Sequence, residues 1–304
     1  LLLSGLQGGG LEPVIPIGRL SAKSLNEVDL YLDKVIEYES APAAKWMKKA
    51  LHFAGGNTAN EASRHENYLN GFSQDFQSVP FGGETQLFKK STSAPYQVSL
   101  ADSIRILINE GVSLLTFFGH SAATGGFDIS IDSPDQLQNR GKYHVLLANS
   151  CFAGNTHQAN VLSTSEQFVL ERNKGAIAFI ASGNLGLAFY LNQYSGAFYE
   201  SFANQNYGKS LAESMRQAVQ AIQTNNPSEP LKSVCLEMTM QGDPALVLNA
   251  QAFADFKVTE DAISVSPEDV TTDLDSFKVK ILIENIGKAV NDSLFVRLSR
   301  KYPN

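Results

Sequence analysis

Cysteine is scarce in this chain: Cys151 and Cys235 are the only two among 304 residues. Two are too few for a disulfide framework or a thiolate metal cage, and at most one bridge is open to them. Long apolar runs are missing too. None approaches the roughly 18 residues needed to span a bilayer, so no membrane span is expected. Positive charge is short, with 24 Lys and Arg against 31 Asp and Glu, a net charge of −7 and no basic stripe. An acidic surface is repelled by phosphate backbones and anionic lipid, which argues against nucleic acid as a partner. The five histidines include no H-E-x-x-H pair and no Cys/His cluster, so no metal site is expected, and His52, His65 and His144 read as structural. The glycine-rich stretch 119–126 lacks both phosphate-cradle patterns, so no nucleotide is implied. No Met and no basic stretch precede Leu1–Leu3, so no secretory signal is legible, and the chain reads as part of something longer.

What is there is ordinary globular material, 43% hydrophobic and 18% charged, enough for one large α/β domain and a small companion. From Pro13 to Leu248 apolar runs alternate with amphipathic stretches, the rhythm of a parallel sheet covered by helices. After Val14–Gly18, Ser24 and Glu27 suggest a reciprocal capping box, with Val28, Tyr31, Leu32, Val35 and Ile36 on the buried face of the helix that follows. Leu51–Ala54 reads as a strand, followed by the turn Gly55-Gly56-Asn57 and a helix over Glu61–Phe72. Gln86–Phe88 reads as a short edge strand. A helix over 99–110, capped by Ser99, precedes the run Val112–Phe118, and the next run is His144–Ala148. Both are apolar on either face, as central parallel strands are. A helix over 165–173, a strand Ala176–Ala181, helices near 191–204 and 208–222 and a last helix over 231–241 complete a domain placed at 1–252.

Beyond residue 253 the pattern changes to short alternating β runs, Ile263–Val265, Phe277–Ile283 and Ser293–Leu298, with a turn at Asn285-Ile286-Gly287. Residues 253–304 are therefore expected to form a β module. About fifty residues fall short of the ~100 of an immunoglobulin-like sandwich, so a truncated one is expected.

Ligands of an open parallel sheet bind off the carboxyl ends of its strands. His120 ends one central run and Cys151 ends the next, so adjacent strands would bring imidazole and thiol to one rim. That pairing suits thiol catalysis, in which the thiolate attacks a carbonyl and the imidazole moves the protons. The competing reading is that a cysteine at a strand end is a small buried hydrophobe. Small neighbours, among them Gly119, Ser121, Ser150, Ala153 and Gly154, leave room for a peptide and for backbone N–H groups facing an oxyanion. Asp128 and His157 are candidates for lining the substrate cleft, Asp128 alternatively for holding a cation. The plainer alternatives are a surface carboxylate and a solvated histidine. Cys235, inside a helical stretch, reads as core.

A hydrophobic run ending in Gly-His, followed by one ending in Ser-Cys, resembles the block pair of caspase-like peptidases. Within that set the chain is similar to the gingipain family, and especially to the gingipain-like sortases of the type IX secretion system. The likeness runs through Ile15–Leu20, Lys34–Glu39, Phe117–Ser121, Ala148–Asn155, Lys174–Phe179 and Gly242–Leu246, spanning about Val14 to Leu248. The resemblance implies a caspase-like three-layer αβα fold with a mostly parallel sheet and an immunoglobulin-like domain after it. It implies Cys151 as nucleophile, His120 as general acid/base, and an oxyanion hole from the backbone N–H groups of Cys151 and Ser121. It further implies an acidic group orienting the imidazole, for which Glu61 is the candidate and Asn57 the reserve; the plainer reading of Glu61 is a charge complementing a helix N-terminus. Ser121 departs from the family's usual glycine after the histidine, and the family's first strand and the loop after it are shortened or missing before Val14.

The expected activity is cysteine endopeptidase chemistry through a Cys-His dyad and a thioester acyl-enzyme, in a sortase-like processing peptidase. The substrate is protein or peptide, and type IX secretion components are candidate partners. The expected location is secreted or at the outer surface of a Gram-negative bacterium. No cofactor is required, and structural calcium is left open. The alternative is a weakly active or inactive surface module that uses the fold for binding or secretion-complex assembly.

Overall fold

The apolar runs become strands of one sheet: β1 (Lys49–Ala54), β2 (Glu84–Lys89), β3 (Leu114–Phe118), β4 (His144–Asn149), β5 (Ala176–Ser182) and β6 (Met238–Gln241). They appear in a computed structural model that describes residues 5–299 apart from 7, 9, 92–100, 123–125, 130, 132, 158–160, 249–250, 260–261 and 272. The spatial order is β2-β1-β3-β4-β5-β6. The first five strands are parallel, and β6 runs antiparallel against β5. Every residue of β3, β4 and β5 is buried, because helices cover both faces. Edge strand β2 is only partly buried.

On one side α1 (Leu25–Glu39) packs on α4 (Thr164–Leu170); on the other α2 (Ala59–Gln77), α5 (Ala188–Tyr199), α6 (Leu211–Thr224) and α7 (Glu229–Glu237) pack together. Helix α3 (Ala101–Glu110) leads into β3. The expected α/β three-layer architecture with a mostly parallel sheet is therefore present.

Several local expectations are corrected. Val14–Gly18 makes no strand; isolated bridges flank it, Leu6 with Pro13 antiparallel and Arg19 with Gln241 parallel. Ser24 does cap α1, its Oγ accepting from the Glu27 amide at 3.3 Å, but the Glu27 carboxylate turns to the Lys23 amide at 2.5 Å instead of completing the box on Ser24. The buried face of α1 is also rotated. Tyr31 and Val35 are buried, whereas Leu32 and Ile36 are exposed and Lys34 is enclosed. Lys34 Nζ donates to the carbonyls of Val169 (2.9 Å), Glu171 (3.3 Å), Lys174 (2.8 Å) and Ala176 (2.9 Å). Carbonyls at the end of α4 have no helical partner, and a cation there meets the negative pole of the helix. The Lys34 cation also lies 5.0 Å from the Tyr143 ring centre. Burial pushes the Lys34 ammonium down to about 7.

The segment 231–241 is not one helix: α7 ends at Glu237 and β6 begins at Met238, with Met238 and Met240 buried in pairing with β5. The helix near 191–204 ends as α at Tyr199 and continues in a wider π turn over Glu200–Gln205. Ser99 lies outside the described residues.

After residue 253, β7 (Phe256–Lys257) pairs with β10 (Glu284–Asn285), and β8 (Ile263–Ser266) pairs with β9 (Lys278–Ile281), both antiparallel. Ser293–Leu298 is not a strand; among the described residues no strand pairs with it, and Phe295 and Leu298 are exposed. The predicted turn is held by Asn285 Oδ1, which accepts from Gly287 N at 3.1 Å. The segment touches the α/β part through Lys48 Nζ, which donates to Gly287 O at 2.7 Å, and through Ala289 N to Pro80 O at 2.9 Å.

Candidate active site

Parallel pairing brings the predicted residues to one rim. Phe118 lies beside Asn149 in the β3–β4 register, and Ala54 beside Phe118 in the β1–β3 register. The loops leaving β1, β3 and β4 therefore emerge together, carrying Gly55–Glu61, His120 and Cys151. Backbone bonds extend the pairing past the strand ends, Gly55 N to Phe118 O at 2.8 Å and Gly119 N to Asn149 O at 3.2 Å.

The His120 ring is nearly half exposed, and its Nε2 lies 3.1 Å from Glu61 Oε1. Glu61 sits in the first turn of α2. Its amide donates to the capping Thr58 Oγ1 at 3.2 Å, and its Oε2 accepts from Asn57 N at 2.8 Å. One carboxylate oxygen thus closes the helix start and the other reaches the imidazole. Burial acts to raise the Glu61 carboxyl, but the Asn57 N–H and the His120 ring together hold it below its ordinary value. Asn57 contributes through its backbone to Glu61, not as the group on the imidazole.

Asp128 does not face a cleft. It is buried, and it braces the histidine loop from below. Oδ2 accepts from Gly56 N at 2.8 Å, Oδ1 accepts from His120 N at 3.3 Å, and the buried Lys90 Nζ lies 3.4 Å from Oδ2. Its own amide donates to His120 O at 3.0 Å. A Cβ on Gly55 would stand 2.0 Å from Oδ1 and one on Gly119 2.6 Å away, so glycine at both positions is what lets the carboxylate in. His65 adds to the brace: Nδ1 lies 2.9 Å from Gly55 O. Histidines 52 and 144 are buried structural groups, with burial lowering their rings to about 4 and about 3.

Cys151 is partly exposed, and its Sγ accepts from Gly186 N at 3.4 Å. Gly186 lies on the loop after β5, and a Cβ there would meet Ser150 O at 2.8 Å, so only glycine brings that amide to the sulfur. Ser121 Oγ donates to Cys151 O at 2.7 Å and lies 2.7 Å from Ser150 Oγ. Phe152 holds φ +58°, rare for a bulky residue. Its amide donates to Asn184 O at 2.8 Å. Among the described residues no acceptor takes the backbone N–H of Cys151 or of Ser121. Such free, rigidly held donors suit an anion developing beside the sulfur.

His157 is exposed on the loop after Cys151, its Nδ1 3.5 Å from Arg19 Nη1 and its amide on Asn155 Oδ1 at 3.2 Å. Cys235 is buried in α7, where burial pushes its thiol up to about 12. Among the described residues no three His, Cys, Asp or Glu side chains converge as metal ligands. A cavity of about 510 Å³ lies along α5 and the α6–α7 connection, lined by Phe189, Ile222 and Leu231 among others, and includes neither Cys151 nor His120. The sequence reading missed Gly186 and Lys90; the one readable sign was the glycine-rich turn 183–186 closing a third apolar run.

An open, mostly parallel sheet between helical layers, with imidazole and thiol loops at the carboxyl ends of adjacent strands, is the layout of the caspase-like cysteine peptidases. Residues 2–249 match the profile of Peptidase family C25, and the chain belongs to that family, the gingipain-like cysteine peptidases. It is similar in fold to the crystal structure of the Arg-specific cysteine proteinase gingipain R (RgpB), with a TM-score of 0.66 and 17% identity over 94% of this chain and 72% of that one. It is also similar to RgpB in the complex of the Porphyromonas gingivalis pro- and mature domains, with a TM-score of 0.63 and 18% identity over 92% and 73% of the two chains. A third structure, described as a protease, gives 0.63 and 17% over 85% of this chain and 63% of that one. No curated protein matches the chain in sequence. Among the described residues no helix is long and apolar enough to cross a membrane.

Proposed function

We propose that the chain is a cysteine endopeptidase working through Cys151 and His120. The observation that carries this reading is the placement of a Glu61-anchored imidazole and of a thiol that receives a backbone N–H on the ends of adjacent parallel strands. His120 takes the thiol proton, and Glu61 steadies the resulting imidazolium. The thiolate attacks the scissile carbonyl while the N–H groups of Cys151 and Ser121 receive the oxyanion. His120 then protonates the leaving amine, which departs as the thioester forms. Water or a second amine opens that thioester, so the same intermediate serves hydrolysis or transfer. The likeness to gingipain-like sortases supports a processing role on exported proteins, outside the cell or at the outer surface of a Gram-negative bacterium, with type IX secretion components as partners.

Competitive alkylation near neutral pH tests the reading, because the thiolate and not the thiol reacts. Cys151 should label far faster than buried Cys235, and His120→Ala should remove the difference. Equal labelling in the native chain would hand the lead to a binding module. Product analysis with an added peptide amine separates hydrolysis from transfer.

A further inference from the structure

We propose that the Ser121 hydroxyl is a positioning group, a strut between the histidine loop and the cysteine loop that holds the left-handed turn behind the nucleophile. This rests on the peptidase reading above and adds a part to it.

Three strand-end loops converge on residues 151 and 152. From the loop after β3, Ser121 Oγ donates to Cys151 O at 2.7 Å. From the loop after β5, Asn184 O accepts the Phe152 amide at 2.8 Å, and Gly186 N donates to Cys151 Sγ at 3.4 Å. The Cys151 carbonyl and the Phe152 amide belong to one peptide plane, so that plane is gripped at both ends. It needs the grip. Phe152 at φ +58° occupies a region that bulky residues leave unless their surroundings over-determine it. Turning the plane would carry the Cys151 backbone, and with it the sulfur, away from the Gly186 amide.

The backbone at Ser121 tolerates a side chain. Ser121 is not among the residues with left-handed backbone, so its Cβ carries no conformational penalty. A glycine there would lose the hydroxyl. The strut couples both halves of the proposed oxyanion hole, since Ser121 and Cys151 each supply one of its N–H groups and are bonded to one another.

The test compares Ser121→Ala, Ser121→Gly and Ser121→Thr in the full chain. The readouts are the rate of iodoacetamide labelling of Cys151 from pH 5 to 9, with Cys235 as internal standard, and the thermal midpoint. The Ala and Gly variants should label Cys151 roughly ten- to a hundredfold more slowly at pH 7, the cost of a misplaced reacting group, with the pH–rate curve displaced upward. Thr, which restores the hydroxyl, should recover most of the rate. Cys235 should be unchanged. A purely structural serine would lower the thermal midpoint and leave the shape of the pH–rate curve alone. Ala and Gly variants that keep the wild-type curve would overturn the strut while leaving the peptidase reading intact. A wild-type Cys151 no more reactive than Cys235 would overturn both. If the Ala variant does not fold, the Gly and Thr pair decides.

Discussion

Glu61→Gln keeps the shape of the side chain and removes its charge, which separates two roles that the carboxylate combines. Oε2 holds Asn57 N at 2.8 Å, and Oε1 meets His120 Nε2 at 3.1 Å. An amide offers one oxygen and one NH2 group, so it can accept from only one of these donors. If the oxygen stays on the helix-capping side, the NH2 faces Nε2 and favours the tautomer with its proton on Nδ1, which leaves the wrong nitrogen as base. The charge matters as well. Opposite charges about 4 Å apart interact by about 1 kcal/mol in bulk water and about 4 kcal/mol at an effective dielectric constant of 20. With the His120 side chain 45% exposed, the lower part of that range applies, so about 1–2 kcal/mol of imidazolium stabilisation is lost. That is roughly five- to thirtyfold in a step that forms imidazolium. Because the Asn57 N–H and the His120 ring hold the Glu61 carboxyl below its ordinary value against the effect of burial, the anchor is intact above that ordinary value and is lost only as pH falls through the depressed one. At pH 6–8 the wild type is therefore fully anchored. We expect kcat to fall roughly five- to thirtyfold with KM within about twofold, and stability to change by at most about 1 kcal/mol, as for other partly exposed pairs. Steady-state hydrolysis of a fluorogenic protein substrate and a urea unfolding curve measure these. A Gln variant with kcat within twofold of wild type across pH 6–8 would refute the reasoning and leave Glu61 as a helix-terminus charge.

Asp128→Ala removes the acceptor for two backbone amides below His120 and should cost about 3 kcal/mol in urea unfolding, with slower Cys151 labelling in variants that remain folded. Lys34→Met should cost roughly 3–5 kcal/mol, because it leaves buried carbonyls around the end of α4 without their hydrogen-bond donor. Burial lowers Lys34 from 10.5 to about 7, so between these values the unfolded chain binds the proton more readily than the native one. The stability difference between wild type and Lys34→Met should therefore grow with pH from 7 to 9, by up to about 1.4 kcal/mol per unit; a flat difference would mean that the carbonyls keep the ammonium charged.

The central strands were legible because β3, β4 and β5 are apolar on both faces, and the placing of His120 and Cys151 at one rim was legible because each follows such a run. Strand β6 was hidden: Met238-Thr239-Met240-Gln241 follows a real helix with no glycine or proline break, and four residues fit either period. Asp128 looked like a loop carboxylate because the space it fills is made by missing side chains at Gly55 and Gly119, two segments distant in sequence. Gly186 acts through an amide that every non-proline residue possesses, so side-chain identity gave no signal. The phase of α1 was misread because the partners of Lys34 are backbone carbonyls some 135 to 142 positions away, which apolar periodicity does not register.

The left-handed Phe152 sets selection for robustness against selection for turnover. Glycine, or asparagine and aspartate to a lesser degree, would relieve a backbone cost of order 1–3 kcal/mol at that position. A random library screened only for survival of heating should drift toward those residues at 152, while one screened for cleavage should resist them. The residue behind the proposed nucleophile is thus where this chain gives up thermal margin, and variants that recover it are expected to hold the sulfur less firmly.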